Sequence, residues 1–354
     1  MYPIDSLIDD DPWAEELPKG DGGALATALL TASAHNDFVS HLGYSNRTRK
    51  LTVHTCSYLN DALTKQEVAS RYSALCSILH LANAAVFCVE ADTAFMHLRG
   101  LYDGFRSLYI GSGSAGVPPP DAYQRRLHSL KFKAERLTFC LYGYTGRRGA
   151  FLAEPPCWDT VPDDPRTSQR PRLTSSPKLD GIYYDLRNLF CLVGETEAGT
   201  SKIQAPYYRS SIYSLQTRIL ALRPGSGTPF DECVRLCITA AIGTQTRLPM
   251  RHLQHFVLNE QLYKYVPLLE CPSDSTGKDF VFWILMSAFL SAFDVDGEDW
   301  AEPLFRQVAR DIETGEEAIS RLQRVLWFPE YIGRQFRTIF EKLRDKWPKE
   351  EKAS

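Results

Sequence analysis

The chain has 354 residues, 44% of them hydrophobic, enough for a substantial buried core. Forty basic side chains against 43 acidic ones leave a formal charge of -3, so no global field draws it to nucleic acid or anionic membrane. The N-terminus is acidic rather than basic-then-apolar, which argues against a secretory or transit peptide. The longest apolar run, Phe280 to Phe293, is too short to span a bilayer and reads as a helix buried on all sides. Nine cysteines, no two closer than four residues, do not resemble a disulfide framework and point to a reducing compartment.

In chain order, residues 1–23 form an acidic segment in which Asp5, Asp9, Asp10, Asp11, Glu15 and Glu16 alternate with Tyr2, Ile4, Leu7, Ile8, Trp13 and Leu17. From Ala24 a helical period takes over. Thr64 and Glu67 have capping-box spacing ahead of a stripe of Tyr72, Leu75, Cys76, Leu79, Asn83 and Val86. Ala94, Leu98, Leu101, Tyr102, Phe105 and Leu108 mark a second helix. A third follows Pro118 to Pro120 and the cap candidate Asp121, with Leu127, Leu130, Ala134, Leu137 and Leu141 on its stripe.

Between Thr145 and Lys178 the pattern stops, and the prolines there predict a long surface loop. Stripes resume at Ile182, Leu186, Leu189, Phe190 and Val193, then at Tyr208, Ile212, Leu215, Ile219 and Leu222. Pro224 to Thr228 breaks the chain. Thr228 as cap and Pro229 as first helical residue then open a helix carrying Val234, Cys237, Ile238, Ala241 and Ile242. The last helix places Ile332, Phe336, Ile339, Phe340, Leu343 and Trp347 inward, with Arg334, Arg337, Glu341 and Arg344 outward. Residues 348–354 form a charged tail. Leu51 to Cys56 is the one strand-like stretch, and helix is preferred there too. The expected fold is all-α, a single large helical domain of packed antiparallel helices over residues 24–347, with the 145–178 loop inside it.

No set of residues announces catalysis. Gly111, Gly113 and Gly116 have dinucleotide-loop spacing, but Val117 and three prolines follow where a helix should receive the pyrophosphate, and the acidic residue due about 20 positions later would be Glu135, mid-helix. Cys233 with Cys237, and His252 with His255, each lie within one helical turn, yet neither pair has further ligands nearby. Asn36, Asp37 and Ser40 begin a magnesium motif whose final acid is replaced by Tyr44. No catalytic, cofactor-binding or metal residue and no cofactor is therefore assigned.

The order of several segments resembles the regulatory domain of fungal zinc-cluster transcription factors. Those segments are Ala24 to Ala34, Leu75 to Val89, His97 to Leu101, the run Asp231, Glu232, Cys233, Val234, Arg235, Leu236, then Phe282 to Leu285, Trp300, and Trp327, Phe328, Pro329 before the helix ending at Trp347. The resemblance implies a helical transcription-regulatory module acting in the nucleus (the cytoplasm being the alternative), with a coactivator, a zinc-cluster protein or a small-molecule effector as partner. The six-cysteine DNA-binding element is missing: only Cys56 lies in the first 75 residues, and no Cys-x-x-Cys occurs. Sequence-specific DNA binding by the chain itself and membrane association are accordingly not expected. A helical enzyme of unrecognised chemistry and a scaffold or decayed paralogue are the alternative readings.

Overall fold

The computed structural model describes residues 22–40, 43–65, 68–111, 121–145, 172–199, 203, 205–244, 256–328 and 330–347. Among them are thirteen α-helices: α1 Gly22–Val39, α2 Asn46–Thr64, α3 Val68–Phe87, α4 Ala91–Gly111, α5 Asp121–Thr145, α6 Pro177–Glu197, α7 Ala205–Ala221, α8 Pro229–Thr244, α9 Phe256–Tyr265, α10 Ser275–Ser291, α11 Glu302–Val308, α12 Gly315–Val325 and α13 Glu330–Lys346. The all-α expectation is met, including the stretch 51–56, which lies inside α2. None of the described helices is long and apolar enough to cross a membrane.

The helices gather into two compact units, divided between residues 155 and 156. A helical stripe tells which face is buried but not which helix covers it, so periodicity could not place this division.

In the N-terminal unit, α3 is the central element, packing on α1, α2, α4 and α5. The buried face of α1 is small and partly polar: Thr27, Leu30, Ser33, Ala34 and Asp37 recur at helical spacing. Its hydroxyls find partners across the interface. Thr31 pairs with His80 Nδ1 of α3 at 2.7 Å, and Ser33 with Thr48 of α2 at 2.8 Å. Thr64 is the last residue of α2. Its hydroxyl donates to the Asp61 carbonyl at 2.7 Å, a back-bond that a threonine in a last helical turn readily makes, while Glu67 lies outside the described residues.

α3 closes with a left-handed residue, Val89, at φ 61°. The Val89 N–H donates to the Val86 carbonyl at 3.0 Å and the Glu90 N–H to the Ala85 carbonyl at 2.8 Å, a Schellman closure. Glycine is usual there because a β-branched side chain is crowded at positive φ. Val89 is 51% exposed, so little packing compensates. Val89→Gly is therefore expected to stabilise this unit by about 0.5–1 kcal/mol, the relieved strain exceeding the added chain entropy. Slower hydrogen exchange across α3 would show it, and unchanged or faster exchange would refute the strain.

In the C-terminal unit, α10 is the buried axis. Asp274 caps it, accepting from the Gly277 N–H at 2.8 Å, and Phe280 to Met286 are all buried. It packs on α8, α9, α11, α12 and α13, as a helix apolar all round must. Phe282 meets Phe305 and Phe340 at ring-centroid distances of 6.4 and 6.1 Å. Thr314 and Glu317 make a full capping box at α12. Along α6, Gly194 is the point of closest approach: an added Cβ would lie 2.7 Å from the Trp327 ring.

Candidate functional site

Several of the family-like segments fall on packing and capping positions, whereas Arg99, Gly100 and Trp300 are exposed. At α8 the Asp231 N–H donates to the Thr228 hydroxyl (3.2 Å), and the Asp231 carboxylate accepts from the Thr228 N–H (2.9 Å), so the expected cap at Thr228 is present and reciprocal. The same carboxylate accepts from the Ser175 N–H at 3.0 Å and from the Ser175 hydroxyl, tying the approach to α6 onto α8. Burial pushes the Asp231 carboxyl up, but the hydrogen bonds from Ser175 and Thr228 outweigh it and hold it below the ordinary range. Glu232 and Arg235 form a buried pair at 2.9 Å one turn apart, and Leu236 is buried. Leu98 and Leu101 are buried in α4, His97 is half-buried, and Arg99 and Gly100 are exposed. Phe328 packs on Phe336 at 4.9 Å.

Cys233 and Cys237 are both buried on α8. Burial, with Glu232 beside it, pushes the Cys233 thiol up to about 12, and burial likewise raises Cys237 well above its usual value. Metal ligation needs the thiolate, which this setting disfavours. His252 and His255 lie outside the described residues, as do residues 112–120 and 146–171. Among the described residues no three His, Cys, Asp or Glu gather where they could hold a metal. Asp37 is committed to the α1–α2 corner, accepting from the Ser45 N–H at 3.0 Å and from the Thr48 hydroxyl. Of the small basic clusters, Arg47, Arg49 and Lys50 are exposed on the first turn of α2.

The chemically unusual position is Glu135 on α5. It is 1% exposed, and neither carboxyl oxygen has a hydrogen-bond partner among the described residues. Lys131 Nζ comes within 3.7 Å, beyond hydrogen-bonding reach. Burial pushes its carboxyl up to about 8, with Lys131 only partly offsetting this, so at neutral pH it is mostly the uncharged acid. Such a group offers one O–H donor and an acceptor oxygen to whatever enters beside it. In the same unit His80 is pushed down to about 4 by burial and by the Lys133 charge, and is therefore neutral. In the C-terminal unit both polar atoms of the buried Gln216 amide also lack partners.

Sequence reasoning met Glu135 only as a badly placed partner for the glycine run. The stripe read for α5 was too narrow: Phe132 and Phe139 are buried too, widening the covered arc past Glu135, which sits about 100° around the helix from Ala134. A glutamate flanked by phenylalanines at i−3 and i+4 was the available signal. Compared with known protein families, curated proteins and solved structures, the chain matches none.

Proposed function

We propose that this chain is a transcription-regulatory module of the kind found in fungal zinc-cluster factors, acting in the nucleus through partner proteins and a small-molecule effector. Catalysis and direct readout of DNA are outside its role in this reading. The observation that carries it is the order of the family-like segments, from Ala24 to Trp347, along an all-helical chain. Two further features support it. Within these 354 residues no Cys-x-x-Cys occurs, so promoter choice would come from elements outside them. Glu135 offers an effector a neutral acid inside a helical unit.

Tethering the chain to an unrelated sequence-specific DNA-binding domain tests the reading. A reporter downstream of the tethering site should change several-fold relative to the DNA-binding domain alone, while the untethered chain shows no duplex preference in gel-shift titrations. A reporter that stays at baseline, or a preferred duplex bound without the tether, overturns it.

A further inference from the structure

The segment joining α10 to α11 carries an aromatic cup on an acidic rim. Phe293 is buried at its floor, with Tyr263 of α9 at a ring-centroid distance of 4.7 Å and Trp300 at 5.3 Å. Tyr263 and Trp300 are 41% and 38% exposed, large apolar rings left facing solvent. Their polar tips converge on one carboxylate. The Tyr263 hydroxyl donates to Glu298 Oε1 at 2.7 Å and the Trp300 indole N–H donates to Glu298 Oε2, which fixes both rings.

The rim is strongly negative. Asp294, Asp296 and Asp299 are exposed beside Glu298. Among the described residues one lysine pairs with this rim: Lys346 contacts Asp299 at 2.7 Å and donates to the Val295 and Asp296 carbonyls, and no described cation pairs with Asp294 or Asp296. Burial, together with Glu298 and Asp294, pushes the Tyr263 phenol up to about 12, as expected where negative charge gathers. These carboxylates are spread around the rings and do not converge on a point that would hold a metal ion. Aromatic faces ringed by separated carboxylates suit an organic cation. A guanidinium fits better than an ammonium, since it is planar, weakly hydrated, stacks on aromatic rings and can bond a carboxylate through two N–H groups.

We infer that the Tyr263–Phe293–Trp300 cup with its acidic rim is a docking surface for an arginine-bearing segment of a partner protein. One exposed cation–π contact is weak, so occupancy depends on several arginines engaging the rim together. The cup is defined by surface chemistry alone, and a failed reporter assay would leave it standing.

The test is fluorescence anisotropy of a labelled peptide of alternating arginine and glycine, titrated with the full chain at low and at physiological salt. Binding should weaken with salt, exceed that of the matching lysine peptide, and be absent for the glutamate peptide. Trp300→Ala and Tyr263→Ala should each weaken it at least threefold, and the double variant Asp294→Asn with Asp296→Asn likewise. That double variant changes only exposed carboxylates, so it decides the matter if an aromatic variant fails to fold. The acidic residues 1–18 are intact in every variant and cannot account for such losses. No binding by the wild-type chain, or equal binding by wild type and the variants that fold, overturns the inference.

Discussion

Raising the pH from 6.5 to 8 destabilises the N-terminal unit, and Glu135→Gln removes that loss. The folded unit holds the Glu135 proton up to about pH 8, whereas the unfolded chain releases it near the ordinary glutamate value of 4.5. Between those values the folded state binds more protons, so stability falls as pH rises. Below 6.5 this slope is opposed. His80, driven down to about 4 by burial and Lys133, and His97, lowered mainly by burial, bind protons more readily when unfolded, so acid destabilises the unit through them. Asp37 is lowered, and its contribution is lost only in stronger acid. Tyr44 and Cys88 are raised and matter only in stronger base.

Stability should therefore peak near pH 6.5. Over the fall to pH 8 Glu135 contributes about 1–2 kcal/mol, partly opposed by the last of the histidine titration, and the difference between wild type and Glu135→Gln isolates it. Hydrogen exchange of peptides from α3 and α5, corrected for the intrinsic pH dependence, reads this unit alone. Protection that stays flat or increases over that interval would show Glu135 to be ionised or partnered in the native state.

Arg321→Ala is expected to cost the C-terminal unit about 3–5 kcal/mol, the scale for breaking a buried ion pair from one side. The Arg321 side chain is 6% exposed. It donates through Nε to Asp279 of α10 and through Nη1 to Asp311 at 2.7 Å, with its guanidinium 5.7 Å from the centre of the Phe282 ring. Removing it leaves the Asp279 side chain, 16% exposed, paired among the described residues with Arg324 alone, at 3.1 Å and itself 62% exposed. The desolvated carboxylate then has too little compensation. Arg321→Met combined with Asp279→Leu should cost less than Arg321→Ala alone, because no orphan charge remains. Glu316→Ala, which breaks the more exposed Arg337 pair at 3.2 Å, should stay within about 1 kcal/mol. Urea denaturation followed through tryptophan fluorescence gives all three values. A cost for Arg321→Ala no larger than that for Glu316→Ala would mean the pair is solvated.

The sequence by itself determined the fold class and most helix faces. Successive side chains along an α-helix turn about 100°, so the stripes Ile182–Val193, Tyr208–Ile219 and Phe336–Trp347 could be read without a partner in view. Caps were legible where both halves are local, as at Thr228 with Pro229. Which stripes cover one another, and how the helices gather into two compact units, is settled by tertiary packing. It also decided which polar groups meet. Asp231 reaches Ser175 across 56 residues, Arg321 reaches Asp279 across 42, and Glu298 gathers Tyr263 and Trp300 from different elements. Whether a buried acid such as Glu135 finds a partner is decided at the same level. The reason is physical: periodicity records the direction of burial along one helix, whereas desolvation and pairing depend on what a second helix brings to the same place.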